Sequence, residues 1–166
     1  MQRHMNWFMT IAVCLTFLVG ATQAVEKTKE KILSGLKVVQ VDATVVDNPE
    51  KVKEEQAPNQ LADSLKNSLR YADIQVGEAP IRAHIVLHEF TSGSTAKRVL
   101  IGMGAGRSTV NCTLVFVNAE GKEIFSKQIR VRGNLAFSPY QGNNTQRRQA
   151  VNSLEQRLIE EIEGLK

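Results

Sequence analysis

Cysteine is nearly absent from this 166-residue chain, which has only Cys14 and Cys112. Cys14 lies inside an apolar leading segment, so the body of the protein keeps a single thiol. One thiol cannot close an internal disulfide, and no disulfide framework holds the fold. The sequence also lacks Cys-x-x-Cys, His-Glu-x-x-His and Gly-x-Ser-x-Gly. The local signatures of dithiol redox, zinc peptidase and serine hydrolase chemistry are therefore missing. Aromatic residues are only 5% of the chain. The formal charge of +4 is spread out, without the dense Lys/Arg clusters of a dedicated nucleic-acid binder. The longest apolar run, residues 7–19, is shorter than the ~20 residues a membrane-spanning helix needs.

What is present begins with an export signal. Arg3 and His4 form a short positive start, residues 7–19 an apolar centre, and Gly20, Ala21, Thr22, Gln23 and Ala24 a small-residue end. This order predicts cleavage after Ala24, with an uncleaved anchor as the alternative. Val13 precedes Cys14 and apolar residues follow it, unlike the acylated Cys of a lipoprotein signal. Loss of residues 1–24 removes Arg3, leaving about +3 by subtraction. The expected organisation is a signal peptide over 1–24, a flexible lead-in over 25–36 and one domain over 37–166. Hydrophobic content of 42% and charged content of 23% suit a globular domain and not a disordered tail.

The expected fold is α+β, in the order β-α-β-β-β-β-α. Residues 37–47 read as a first strand, with Val39, Val41, Ala43 and Val45 on one buried face. Asn59 is the expected cap of a helix over 60–72, whose Leu61, Ala62, Leu65, Leu69 and Ala72 recur at helical spacing. Short strand 73–76 and strand 81–90 follow. Strands 108–117 and 122–132 form a hairpin about Asn118-Ala119-Glu120-Gly121. Its inward residues are Val110, Cys112, Leu114 and Phe116, then Phe125, Ile129 and Val131. Thr145 to Glu163 is the last helix, with a stripe of Ala150, Val151, Leu154, Leu158, Ile159 and Ile162. The simplest assembly is two layers: a mostly antiparallel sheet of four to five strands with both helices on one face.

The most distinctive segment is the Gly-rich run of residues 102–107. It fails as a dinucleotide fingerprint, because Arg107 stands where the third Gly is needed and a strand follows where a helix is required. It fails as a P-loop because no Gly-Lys-Ser/Thr follows. Its glycines either permit a bend before the hairpin or, with Gly102, Gly104, Gly106 and Arg107, form an anion-binding nest. His84 and His88 on one strand would lie about 13 Å apart, too far to share a metal ion, with Glu89 on the opposite face. Cys112 sits among apolar strand residues and reads as a small core residue. Arg130 and Arg132 share the outward hairpin face and, with Lys97, Arg98 and Arg107, form a candidate basic patch.

The run Ala-Lys-Arg-Val-Leu-Ile-Gly-Met-Gly-Ala-Gly-Arg-Ser-Thr-Val-Asn-Cys-Thr-Leu-Val-Phe-Val-Asn-Ala-Glu-Gly, residues 96–121, resembles the signature of a bacterial envelope family catalogued as domain of unknown function 4410. The resemblance rests on a basic residue, an apolar pair, Gly-x-Gly-Ala-Gly, an alternating strand and a turn Gly. It implies an exported protein. It does not extend to lipid anchoring, since no Cys ends the signal, and it implies no catalytic residues. The expectation is a non-enzymatic periplasmic domain, in some settings associated with the outer membrane, that binds another envelope protein or an anionic envelope component. No metal, cofactor or nucleic acid is expected, and no stable membrane anchor after cleavage. The alternative is a small-ligand carrier or enzyme using the Gly102–Arg107 loop as an anion site. The sequence leaves the oligomeric state open.

Overall fold

The computed structural model describes residues 32–92, 94, 107–133 and 143–166. The expected signal peptide and the glycines of residues 102–106 lie outside them. The elements run β1 (Val38–Val41), β2 (Val45–Val46), a 3-10 turn (Pro49–Lys51), α1 (Ala57–Tyr71), β3 (Gln75–Val76), β4 (Arg82–Thr91), β5 (Thr109–Val117), β6 (Glu123–Arg132) and α2 (Asn143–Glu163). The class is α+β, with an open six-stranded sheet among the described residues.

The sheet order is β3-β1-β4-β5-β6, with β2 also on β4. It is mixed where a mostly antiparallel sheet of four to five strands was expected. β4, β5 and β6 pair antiparallel, whereas β1 pairs parallel with β3 and β4, and β2 parallel with β4. The cause is α1: a helical crossover returns the chain to the end from which it left, which makes the flanking strands parallel.

The expected first strand is broken into β1 and β2. Gln40 faces Arg82, but Val45 faces Val86, so the first chain has slipped by one residue against β4. A one-residue slip reverses the faces. Val39 is fully buried as expected, but Ala43 is exposed, Val45 is 51% exposed, and Val46 turns toward the core instead.

α1 begins at Ala57, earlier than Asn59 would cap it, because Pro58 fits the first helical turn where no backbone donor is needed. It ends in a Schellman motif. The Ile74 N–H donates to Leu69 O and the Asp73 N–H to Arg70 O, with Asp73 at φ +58°. Leu61, Leu65 and Leu69 bury its stripe. α2 buries Ala150, Leu154, Leu158 and Ile162, and both helices join one core cluster with Ala83, Ile85, Leu87, Phe90 and the inward residues of β5 and β6. Where the helices meet, the Ser68 hydroxyl lies 2.8 Å from Ser64 O and 3.2 Å from Glu155 O.

Residues 32–36 were expected to be part of a flexible lead-in. Instead Leu33 is 1% exposed, and its N–H donates to Leu165 O at 2.9 Å. The hairpin turn forms as read: Gly121 takes φ +78° and its N–H donates to Asn118 O.

Candidate functional site

With both helices on one face of the sheet, the other face carries no described helix. Strand alternation brings polar side chains to it from β1, β4, β5 and β6. Arg82 Nη1 lies 3.5 Å from Asp42 Oδ2, and Gln40 donates to the other Asp42 oxygen at 3.1 Å. Gln128 on β6 donates to Asn111 on β5 at 3.1 Å. Val86 and Val115 lie between these pairs in the strand register.

The centre of this face is set by a β-bulge. The register of β4 against β5 shifts between Leu87 and Glu89, which leaves His88 as the extra residue. A bulge re-aims the side chains that follow it. Phe90 is thereby returned to the core, and Glu89 comes to the same face as Arg130, with Oε2 at 3.9 Å from Nη2. This corrects the expectation that Glu89 points away from the face bearing the histidines. His88 reaches Asp47 Oδ2 with Nδ1 at 2.5 Å and Thr113 Oγ1 with Nε2 at 2.7 Å. With Nδ1–H donating to Asp47, the neutral ring accepts from the Thr113 hydroxyl.

Acid, imidazole and hydroxyl in this order share the connectivity of a nucleophile relay. Thr113, however, sits mid-strand with β4 on one side and β6 on the other. Its neighbouring backbone N–H groups are committed to sheet ladders, so they are not free to stabilise a developing oxyanion. The geometry serves better as a tie that fastens β2 to β5 across the bulge. Sequence reading missed this trio because its members are 41 and 25 residues apart. No group of three or more potential metal ligands occurs among the described residues.

Arg130 and Arg132 point outward from β6, as period-two alternation indicates. The Arg130 side chain is 55% exposed, and Glu89 is the acid beside it. Toward the sheet edge, Arg130 and Arg132 meet the Ser153, Gln156, Arg157 and Glu160 face of α2 in a groove of about 380 Å³. Arg157 is neutralised there by Glu160 at 2.8 Å. Of the other proposed anion site, only Arg107 is described. It is half-buried, and its buried Nε has no hydrogen-bond partner among the described residues. Gly102, Gly104 and Gly106 lie outside the described residues, as do Lys97 and Arg98 of the basic patch.

Cys112 is fully buried between β4 and β6, and burial pushes its thiol up to about 12 from 9.0. The folded chain therefore holds this proton where the unfolded chain releases it. The stabilisation is fully present below pH 9 and is lost as pH rises from about 9 toward 12. In native protein near neutral pH, iodoacetamide should leave Cys112 unmodified; in urea it should label fully, as read by intact mass.

No helix among the described residues is long and apolar enough to cross a membrane. The fold is similar to that of a PelC dodecamer from Paraburkholderia phytofirmans, at 15% identity and a TM-score of 0.55, over 81% of this chain and 92% of that one. It is also similar to protein XCC0632 from Xanthomonas campestris, assigned to DUF330, at 11% identity and a TM-score of 0.53, over 78% and 87% of the two chains. At such identities the likeness is one of fold. No curated protein matches the sequence. The model of the domain of unknown function DUF4410 matches residues 28–133, well over half of the chain and all the strands of the sheet, and the protein belongs to that family.

Proposed function

We propose that this chain is an exported, non-catalytic domain that binds a phosphate-bearing component of the cell envelope at the Arg130 and Arg132 end of its open sheet face. The observation that carries the reading is the pair of outward guanidinium groups on β6, exposed on a face that no described helix covers. Arginine presents a planar fork of donors suited to phosphate oxygens. The segment 1–24 supports export, with the periplasm as the destination. The PelC neighbours form dodecamers, which supports self-association as part of this reading.

The test is co-sedimentation with vesicles of phosphatidylethanolamine, with and without phosphatidylglycerol, and a parallel arm with lipopolysaccharide. Binding should require the anionic lipid and weaken as salt rises. Arg130→Ala with Arg132→Ala should weaken it about 30-fold, from about 1 kcal/mol for each cation near an anionic surface. Unchanged binding by the double variant would remove this face from the reading. Recovery of a soluble acidic protein in place of either lipid would change the partner class.

A second reading rests on Arg107, whose Nε has no partner among the described residues and offers a donor to an anion. It makes the chain a small-ligand carrier or an enzyme built on the Gly102–Arg107 loop. Phosphate binding that is lost in Arg107→Met and retained without Arg130 and Arg132 would favour it.

A further inference from the structure

β6 is a ten-residue strand at the end of the sheet order, and the described residues place no strand beyond it. Long edge strands are ordinarily blunted by a proline, a mid-strand bulge or a short length. β6 contains no proline, and its one irregularity lies at its start, between the pairs Phe116–Phe125 and Val117–Glu123. Lys127, the lysine that could guard the edge, is drawn toward Glu161 of α2 at 3.7 Å. The opposite side of the sheet offers no comparable edge, since β2 and β3 have two residues each.

The phase of the ladder shows which backbone groups are free. Gly133 N–H donates to Ser108 O at 2.8 Å, one step beyond the pair Thr109–Arg132. In an antiparallel ladder, alternate residues bond to one neighbour and the rest turn away. Phe125, Lys127, Ile129 and Val131 therefore bond to β5. The N–H and C=O groups of Ser126, Gln128, Arg130 and Arg132 face outward. No backbone hydrogen bond outside the strand ladders engages these four among the described residues.

We propose that β6 pairs antiparallel with β6 of a second copy about a two-fold axis at Gln128. The inference deepens the self-association in the proposed function by naming its surface. The register follows from charge. Centred on Gln128, the strands place Arg130 opposite Ser126 of the second copy. Arg132 falls opposite Ile124 of the second copy, beside its Glu123. Like charges are thereby kept apart and each arginine end meets the other copy's acidic end. The groove between β6 and the Ser153, Gln156, Arg157 and Glu160 face of α2 leaves room for the incoming strand. The two-fold axis runs through the sheet, so the two open faces continue into one. Four outward arginines then share a single surface, and a membrane or lipopolysaccharide layer meets them together.

The chain purified after expression from its full-length gene should sediment as a dimer, or as a multiple of dimers, at micromolar concentration. Gln128→Pro removes an outward donor without touching the β5 ladder. It should raise the dissociation constant about 100-fold, because both copies lose an edge donor and the ring blocks close approach. Gln128→Cys should cross-link copy to copy under a mild oxidant. A hydrogen-bonded antiparallel pair has Cα atoms about 5.5 Å apart, which a disulfide spans. Buried Cys112 should take no part in that bond. Arg132→Glu should weaken the dimer, and adding Glu123→Arg should restore it.

A monomer at all concentrations overturns the proposal. So does an assembly whose Gln128→Cys form does not cross-link, which decides the matter even if the proline variant fails to fold. Vesicle binding by a strictly monomeric chain would sink the pairing, and self-association with it, and leave the binding of an anionic envelope component standing; cross-linked dimers that ignore anionic lipid would do the reverse.

Discussion

Phe116→Ala is expected to cost about 3–5 kcal/mol of folding free energy, the range for removing a large aromatic from a packed core. Phe116 is fully buried in the middle of the antiparallel sheet. It faces Ala83 on β4 and Phe125 on β6, and its ring meets that of Phe125 edge-on, with centroids 6.0 Å apart and planes at 66°. The substitution removes apolar area and this aromatic pair together. Domains of this size have about 5–15 kcal/mol in total, so the variant should lose a large part of its stability. Urea unfolding followed by circular dichroism measures it. A midpoint close to the parent's would mean that the ring is not packed as described.

Gly133→Ala is the second large effect, and it acts through crowding. Gly133 follows β6 where the first turn of α2 passes over the sheet. A Cβ there would lie 2.8 Å from the backbone oxygen of Gln146 and 3.0 Å from its side-chain oxygen. The nearer atom is helix backbone, which cannot swing aside as a side chain can. Either α2 shifts off the sheet or the Gly133 to Ser108 hydrogen bond is lost. Overpacking of this kind costs about 1–3 kcal/mol. Gly121→Ala makes a useful comparison. There the strain is one of positive φ in an exposed turn, with no atom closer than 3.9 Å, and the expected cost is about 1 kcal/mol. A smaller loss at Gly133 than at Gly121 would contradict the close approach of α2.

The local half of this fold is legible in the residues. The alternation of Val110, Cys112, Leu114 and Phe116 marks the buried face of β5, and that of Phe125, Ile129 and Val131 does so for β6. The stripe Ala150, Leu154, Leu158 and Ile162 marks α2. These patterns report burial directly, because one period belongs to each kind of element. Pairing between distant strands leaves no such trace. Nothing in Val38–Val41 says that it lies parallel to β4, and a single added residue before Val45 reverses a face without changing composition. The His88 bulge is equally silent, yet it decides that Glu89 meets Arg130. The outward direction of Arg130 and Arg132 was readable from period two. The Asp47, His88 and Thr113 trio was not, since each comes from a different strand or strand end.

The hydrogen bond from Leu33 to Leu165 has a topological consequence. Among the described residues the path starts and finishes at one corner, a nearly closed circuit from Leu33 to Leu165. A short linker could join the two ends, and a cut at the exposed Asn118–Gly121 turn would give the same domain a new beginning. Anything fused after Lys166 leaves from the corner where Leu33 enters the core, so a C-terminal tag would emerge beside residues 32–33.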